Sequence, residues 1–517
     1  MRLIRPLELV RGGITAMRER RRAVTSRSER VRLLRTILLV SAASVAIGYV
    51  LIQCASANVL SSLLWIPQDC WLDWGTNIGR HCFSDYSMVV DAGMRPNPWT
   101  YQEFLPPDYQ PTRTAYPAAA MMPHLLFGAP AKWLGGPRLG LVGYLLALTV
   151  AVLSPAVWAA RGTRGLERLV VFVALGVVAI PVWAVIDRGN SAGFVVPIAL
   201  MFLVALRRGH WGAVTLMVVL AAAVKPQFAV LVVALLAARR WRWSGIAIVG
   251  VMIANLAPYL LWPRDFPQTI AQTIHGLSHF GSSELGLTDV KNLSFARALL
   301  LFPDAVEAAT SGGKLPEGFL AGPRLLIGYV VLILIVVSLL ALGRRIPPVM
   351  AGIVLLAAAA LFPSEAMYYY LVFVLPVAAL VIRDPDGRLG EGIFDRFAIN
   401  GDCRRRVGAW VRVATALSIA QVAIPGQPVP VPIWGQFGAR GVVGSTPIVL
   451  TTAPLTPILW IIACAVIIVS YVRRPANFQD GDSASPLDGL PETAVSTSST
   501  ASCDTGRRPQ LGGRSLL

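Results

Sequence analysis

Residues 36–53 read TILLVSAASVAIGYVLIQ, an apolar run without a charged side chain. A run of this length suits a helix that crosses a bilayer, which needs about 20 residues, whereas a barrel strand needs about ten. The chain as a whole is 55% hydrophobic and 14% charged, and its six cysteines are too few for a disulfide scaffold. This composition excludes an ordinary soluble enzyme and a disordered chain.

Further apolar runs follow the first one along the chain. They lie at residues 138–160, 168–187, 191–206, 211–224, 226–238, 243–262, 324–342, 348–363, 366–382, 407–424 and 447–472. In lipid only helices and closed barrels satisfy their own backbone hydrogen bonds, and these runs are too long for barrel strands. We therefore expect an all-α polytopic membrane protein with about twelve transmembrane helices.

The net charge of +18 would suggest a nucleic-acid partner in a soluble protein. In a membrane protein the same excess fixes topology, because Lys and Arg collect in cytoplasmic loops. When the runs are counted from a cytoplasmic N-terminus, every loop on the inside is basic. The arginines of these loops are, in order, Arg161, Arg164 and Arg168; Arg207 and Arg208; Arg239, Arg240 and Arg242; Arg344 and Arg345; Arg383, Arg388 and Arg404 to Arg406; and Arg473 and Arg474. We expect a multi-pass plasma-membrane protein with both termini cytoplasmic, bound to membrane lipids and not to nucleic acid.

This topology divides the chain into three parts. A basic cytoplasmic arm spans residues 1–35, the transmembrane domain spans 36–474, and a Ser/Thr/Gly/Pro-rich tail, expected to be disordered, spans 475–517. Two large loops, 54–137 and 263–323, then lie outside. Inside the first, the apolar piece 117–134 is broken by two prolines, which favours a re-entrant or interfacial helix. No GxxxxGK[ST] phosphate cradle occurs in the inside loops, so an enzyme of this kind would use a substrate delivered outside, such as a lipid-linked one.

Asp85 is the first candidate for chemistry. It lies in the sequence CFSDYSMVVDAG of the first outer loop. A carboxylate there could take a proton from an acceptor hydroxyl as a general base. Alternatively it caps the following helix, as Ser and Asp often do. Asp73 and Asp91 compete for the role of base.

Two outside corners carry polar residues between apolar runs. Arg188 and Asn190 occupy the first, in the sequence Asp-Arg-Gly-Asn, and suit a phosphate or a sugar. Lys225 and Gln227 occupy the second, around a proline. A lysine between apolar runs is costly unless it reaches an anion, a carboxylate or solvent, so Lys225 either binds a charged ligand or snorkels to the interface.

The long outer loop offers histidines and an Asn-Leu-Ser sequence. His275 and His279 are four residues apart and would share a helix face. Zinc needs further ligands, and no HExxH motif is present, so we expect no metal and assign His279 to hydrogen bonding or proton transfer. Asn292 opens a loop-to-helix transition, with Asn or Ser as the cap. In the first outer loop, Cys70 and Cys82 are expected to form a disulfide in an oxidising compartment.

The order of these motifs resembles glycosyltransferase family 87, membrane enzymes of the GT-C superfamily, over about residues 80–380. The elements that carry the resemblance are an acidic residue in the first outer loop (Asp85), Gly93-x-x-Pro-Asn-Pro-Trp-Thr-Tyr101, Tyr116-Pro117, Gly189-Asn190-Ser191, Ala-Ala-Ala-Val-Lys225-Pro226-Gln227, Asn292-x-Ser294, and Pro363-Ser364 before Tyr368-Tyr369-Tyr370. The resemblance implies a GT-C-like fold and transfer of a sugar, with mannose favoured, from a polyprenyl-phosphate donor to a lipid or glycan acceptor of the cell envelope.

The resemblance also assigns roles to residues. Asp85 matches the family's base, and Arg188, Lys225 and His279 become candidates to stabilise the leaving phosphate, with inversion at the anomeric carbon. Asn190, Gln227, Asn292 and Tyr116 join them as substrate-binding candidates. Three alternatives stay open: an arabinofuranosyltransferase with a polyprenyl-phosphate arabinose donor, a lipid or sugar transporter, and a non-catalytic membrane scaffold.

Overall fold

The structure, a computed structural model, describes residues 28–55, 83–105, 110–281, 287–288, 292–311, 315–316, 318–395, 405–426, 429–432, 442–446 and 449–474. Several sequence predictions lie outside the described residues and stay predictions. They concern most of the basic arm, the Cys70–Cys82 disulfide, the competing carboxylate Asp73 and the tail 475–517.

The described chain is mostly helical. The first half contains α1 (Glu29–Ala55), α2 (Ser84–Gly93), α3 (Ala118–Trp133), α4 (Pro137–Ala160), α5 (Gly165–Phe172), α6 (Ile180–Arg188), α7 (Ala192–Arg208), α8 (Trp211–Val224), α9 (Val232–Ala237) and α10 (Trp241–Leu256). The second half contains α11 (Gln268–Gly281), α12 (Phe295–Leu299), α13 (Leu301–Thr310), α14 (Ala321–Leu342), α15 (Pro348–Leu361), α16 (Val374–Ile382), α17 (Arg405–Ile419) and α18 (Thr456–Arg473). Short 3-10 turns precede α9 and α16, at Pro226–Leu231 and Tyr368–Phe373.

Five of the described helical segments are long and apolar enough to cross a membrane. They are Glu29–Ala55, Pro137–Ala160, Trp241–Leu261, Ala321–Arg345 and Ala453–Arg473. A sixth span results if the pair Gly165–Val177 and Ile180–Arg188, bent by 43°, is counted as one. The chain is therefore a helical membrane protein, while the number of twelve spans stays a prediction.

The first helix begins earlier than its apolar run. α1 starts at Glu29, so the last residues predicted for the basic arm belong to the helix. Glu29 is buried because its polar groups have partners: its amide donates to Asp395 Oδ1 at 2.9 Å, and Arg412 Nε donates to its Oε2 at 2.8 Å. These contacts fasten α1 to α17 and extend the helix beyond the apolar residues.

The prediction of a helical chain is confirmed for most of the described residues, and the difference from an all-α chain is that short antiparallel strand pairs accompany the helices. In the first outer loop β1 (Gln102–Leu105) pairs with β2 (Gln110–Arg113). Near the C-terminus β3 (Ala423–Pro425) pairs with β6 (Val449–Thr451), and β4 (Val429–Pro432) with β5 (Val442–Thr446). Proline and β-branched residues disfavour helix here, so the predicted spans 407–424 and 447–472 are shortened to α17 and α18.

The centre of the bundle is formed by α15 and α16. Every residue from Val349 to Leu361 in α15 and every residue of α16 is buried. A helix that is apolar on all sides is enclosed by other helices, whereas α14 has large exposed apolar side chains on its outer face. α14 crosses the end of α15 very closely: a Cβ on Gly328 would lie 1.9 Å from the carbonyl oxygen of Phe362. Only glycine fits at that crossing.

A buried ion pair holds the N-terminal turn of α14. Arg324 and Asp304 are 1% and 4% exposed, and Arg324 Nη1 donates to Asp304 Oδ2 at 3.2 Å. Removing one partner of a buried pair leaves an uncompensated charge, so we expect Asp304→Ala to lower the free energy of unfolding by about 3–5 kcal/mol.

This loss is measurable as a lower midpoint of thermal unfolding in detergent. Asp91→Ala is the matched control, because Asp91 forms an ion pair with Lys132 between two exposed side chains, and such pairs contribute at most about 1 kcal/mol. Equal midpoints for the two variants would contradict the structural role of the Arg324–Asp304 pair.

Candidate active site

Asp85 lies in the first turn of α2 and is 7% exposed. Its Oδ1 accepts a hydrogen bond from Arg188 Nη2 at 2.9 Å, and its Oδ2 accepts one from Asn190 Nδ2 at 2.6 Å. The helix begins after Phe83 without a side-chain capping bond, and the Asp85 carboxylate bonds to side chains of a distant corner. The interpretation of Asp85 as a helix cap is therefore wrong in this structure.

The corner between α6 and α7 presents Arg188 and Asn190 to Asp85. α6 ends in a left-handed residue, Gly189, with a φ of 63°, and a Cβ there would lie 3.2 Å from Tyr86 Cβ. Two hydrogen bonds fix the corner: Phe83 N donates to Asp187 O at 2.9 Å, and Tyr144 Oη donates to Gly189 O at 2.9 Å. The turn predicted from the sequence Arg-Gly-Asn is confirmed.

Asn190 connects the carboxylate to the aromatic side of the site. Its Nδ2 also lies 3.1 Å from Tyr116 Oη, and its Oδ1 accepts from Ala192 N at 2.8 Å, which fixes the orientation of the amide. Burial, and then the nearby Asp85 charge, raise the pKa of Tyr116 well above its ordinary value. The phenol therefore stays protonated at neutral pH.

Lys225 occupies the break between α8 and the turn that precedes α9, and is 6% exposed. Its Nζ lies 4.5 Å from the centroid of the Tyr116 ring and 5.9 Å from that of the Tyr370 ring. Within the part of the chain that the structure describes, Lys225 forms no ion pair with a carboxylate. The site thus holds a buried cation on aromatic faces, available to an anionic ligand.

Other predicted site residues lie further from Asp85 or are otherwise engaged. Gln227 Nε2 donates to Ala359 O at 3.3 Å. The Asn292 amide donates to Ser364 O at 2.8 Å and accepts from the amides of Ser294 and Ala366, so it joins two loops. Ser294 Oγ accepts from Arg297 N at 3.2 Å, which confirms the predicted cap.

The two histidines of the long outer loop lie on α11, so their predicted common helix is confirmed. The His275 side chain is exposed, and the His279 side chain lies outside the described residues. Of the competing carboxylates, Asp91 forms its ion pair with Lys132 and does not contact the Arg188–Asn190 corner. Among the described residues, no group of three His, Cys, Asp or Glu side chains is placed to hold a metal ion.

Sequence reasoning missed His124, which is fully buried in α3 beside the site. Its ring stacks on Tyr144 with centroids 5.1 Å apart and meets the Tyr116 ring edge-on at 5.9 Å. His124 thus connects α3 to Tyr144, which bonds to the corner at Gly189, and to Tyr116, which contacts the Asn190 amide. The available signal was an ionisable residue in an otherwise apolar segment, which is costly unless it has a role.

Comparison with known families gives one finding. Residues 122–351 match glycosyltransferase family 87. Arg188, Asn190, Lys225 and Asn292 fall inside the matched segment, whereas Asp85 precedes it. Neither the curated proteins nor the solved structures searched give a match.

The match confirms the resemblance seen in the sequence motifs, and the helical spans agree with a protein of the membrane. Over residues 122–351, a little under half of its length, the chain is therefore similar to the membrane glycosyltransferases of family 87.

Proposed function

We propose that this protein is a membrane glycosyltransferase that moves a sugar, with mannose favoured, from a polyprenyl-phosphate donor to a glycolipid or glycan of the cell envelope. Transfer takes place on the non-cytoplasmic side of the plasma membrane. The observation that carries the proposal is a buried carboxylate, Asp85, which Asn190 links to Tyr116, and a buried cation, Lys225, which lies on the ring of the same Tyr116. The first suits proton abstraction, and the second suits a leaving phosphate.

Asp85 keeps the capacity to act as a base. A carboxylate offers about four acceptor positions, and one donor to each oxygen leaves both oxygens able to accept another hydrogen bond. An acceptor hydroxyl that reaches either oxygen transfers its proton there as it attacks. Arg188 and Asn190 hold the carboxylate in place before the reaction.

The proposed reaction is a single displacement. The acceptor oxygen forms a bond to the anomeric carbon while the bond from that carbon to the donor phosphate oxygen breaks. The electron pair of the broken bond goes to the phosphate, which leaves as polyprenyl phosphate with an additional negative charge. Lys225 stabilises this charge, with Arg188 as the second cation of the site and His279 as a further candidate. Attack from the face opposite the phosphate inverts the anomeric centre.

The lengths of the helices support a donor that arrives through the membrane. α8 has 14 residues and is therefore about 21 Å long, shorter than the bilayer core of about 30 Å. A helix of this length that starts at the cytoplasmic face ends inside the bilayer core, which would place the Lys225 corner where a phosphate on a lipid chain can approach it. We propose that the shorter apolar helices complete a GT-C-like bundle of about twelve spans.

The orientation of the bundle has a direct test. With both termini cytoplasmic, a cysteine introduced at Leu389, an exposed residue of an inside loop, is inaccessible to an impermeant thiol reagent in intact cells. A cysteine at Leu134, an exposed residue that follows α3, is labelled. The experiment uses a background without the other cysteines. Labelling at Leu389 but not at Leu134 would reverse the orientation.

The donor sugar is decided by direct assay. Purified protein in detergent, supplied with a membrane lipid extract, is incubated separately with radiolabelled polyprenyl-phosphate mannose and polyprenyl-phosphate arabinose. We expect label from the mannose donor to enter a lipid or glycan product. Label from arabinose alone would identify an arabinofuranosyltransferase, and label from neither donor would overturn the proposed donor class.

A further inference from the structure

A polar cavity, separate from the Asp85 site, lies beyond the end of α2 opposite Asp85. It is open to the surface, has a volume of about 480 Å³ and lies between residues 95–101 and the turn that follows the span Trp241–Leu261. Two arginines, an aspartate, an asparagine and a tyrosine line it, together with small side chains: the polar ones are Arg95, Asn97, Tyr101, Arg264 and Asp265.

The wall of this cavity is rigidly built. Asn97, which is 8% exposed, donates from Nδ2 to Asp265 Oδ2 at 2.6 Å and to Gln272 Oε1 at 3.0 Å, and its Oδ1 accepts from Trp99 N. Trp99 is buried and packs on Tyr259, with ring centroids 5.1 Å apart. One asparagine thus joins the Pro-Asn-Pro-Trp segment to the turn after the span.

The cavity has an excess of positive charge. The Arg95 guanidinium lies 4.3 Å from the centroid of the Tyr101 ring, which orients it without neutralising it. Neither Arg95 nor Arg264 forms an ion pair with a carboxylate in the part of the chain that the structure describes. Two guanidinium groups beside one carboxylate, Asp265, suit a phosphate that also carries hydroxyl groups.

The position of the cavity indicates a lipid ligand. Arg264 follows directly on the candidate span that ends at Leu261. Leu260, Leu261 and Phe266 are exposed beside it, by 63%, 63% and 43%. Acyl chains can lie against these apolar side chains while a headgroup enters the polar cavity.

A phosphate bound in this cavity would not be the reacting one. From Asp85 to Gly93 the helix α2 rises by about 12 Å, and the cavity begins beyond Gly93. A leaving phosphate lies within a few ångströms of the attacking oxygen, at Lys225. A phosphate in this cavity would therefore belong to a different molecule or to the far end of the acceptor.

We propose that this cavity, formed by Arg95, Asn97, Tyr101, Arg264 and Asp265, binds the phosphodiester headgroup of an anionic membrane lipid. That this lipid is the anchor of the sugar acceptor rests on the proposed function. The acceptor hydroxyl would then be separated from the phosphodiester by a headgroup long enough to reach Asp85.

The binding claim is tested without catalysis. Full-length protein in a neutral detergent is titrated by microscale thermophoresis with dioctanoyl phosphatidylglycerol, dioctanoyl phosphatidylcholine and inorganic phosphate. We expect phosphatidylglycerol to bind at least tenfold more tightly than the other two. Arg95→Gln and Arg264→Gln should each weaken it about tenfold, the usual effect of one charge-assisted contact, and the double variant about a hundredfold. Arg138→Gln is the matched control, an exposed arginine that does not line the cavity.

Each outcome decides the proposal. Equal binding of the three probes by the wild type, or unchanged binding in folded arginine variants, overturns it. If inorganic phosphate binds as tightly as the lipid, the cavity is a site for free phosphate and the lipid proposal is wrong. If the variants do not fold, the comparison of the three probes on the wild type still decides.

The acceptor role is measured separately: the acceptor KM should rise in the arginine variants while the donor KM stays constant. Absence of transfer in the wild type would remove the proposed function and leave the lipid site intact.

Discussion

Asp85→Asn should insert into the membrane, fold and bind the donor, yet lose transfer by a factor of about 10²–10⁴, the usual contribution of a general base. The asparagine amide has nearly the same shape as the carboxylate but cannot take the proton of the acceptor hydroxyl. The variant also lacks the ion pair between residue 85 and Arg188, so we expect a modest loss of thermal stability beside the loss of transfer. The measurement is initial-rate transfer at saturating donor, beside donor binding and thermal unfolding.

The matched control for this variant is Asp91→Asn. Asp91 lies on the same helix and forms an exposed ion pair with Lys132, so its loss should leave transfer unchanged. Near-normal turnover by Asp85→Asn would remove the assignment of Asp85 as base. Asp73, which lies outside the described residues, would then be the next carboxylate to test.

Lys225→Ala should reduce kcat/KM for the donor by about ten- to a hundredfold, because one charge-assisted contact to the phosphate is lost. Lys225 is buried on the Tyr116 and Tyr370 rings and forms no ion pair within the described residues, so its charge is available to the ligand. Lys225→Arg keeps the charge and should recover part of the loss.

Lys132→Ala is the control for removing a lysine, since Lys132 is paired with Asp91 at the surface. The informative comparison is the donor kcat/KM of the three variants in proteins that unfold at similar temperatures. If Lys225→Ala has the donor kinetics of the wild type, Lys225 only anchors two helices through its aromatic neighbours.

The sequence predicted much of the helical structure because apolar runs and breaks are local signals. The turn at Gly189 and the break at Lys225 follow from glycine and proline in otherwise apolar stretches. The number of spans could not be decided in this way. α15 and α16 are apolar on all sides because other helices enclose them, and a buried helix has the same pattern as a membrane-spanning one.

The candidate site was only partly predictable. Asp85, Arg188 and Lys225 were expected on the same side of the membrane from the charge pattern, and the family resemblance favoured Asp85 as base. The bond from Arg188 to Asp85 joins residues 103 positions apart and depends on how α2 packs against the α6–α7 corner. No local pattern encodes such a contact. The same holds for the strand pairs, in which Ala423 and Thr451 meet across a loop.

The central claim is that Asp85 and Lys225 form a site for a polyprenyl-phosphate donor. Its most direct test is to follow both products of the purified wild-type protein, with polyprenyl-phosphate sugar and with the corresponding nucleotide sugar as alternative donors. We predict that only the polyprenyl-phosphate donor is used, that released polyprenyl phosphate equals the sugar transferred, and that the new linkage has the inverted anomeric configuration. Transfer from the nucleotide sugar alone, or retention of configuration, would contradict the account.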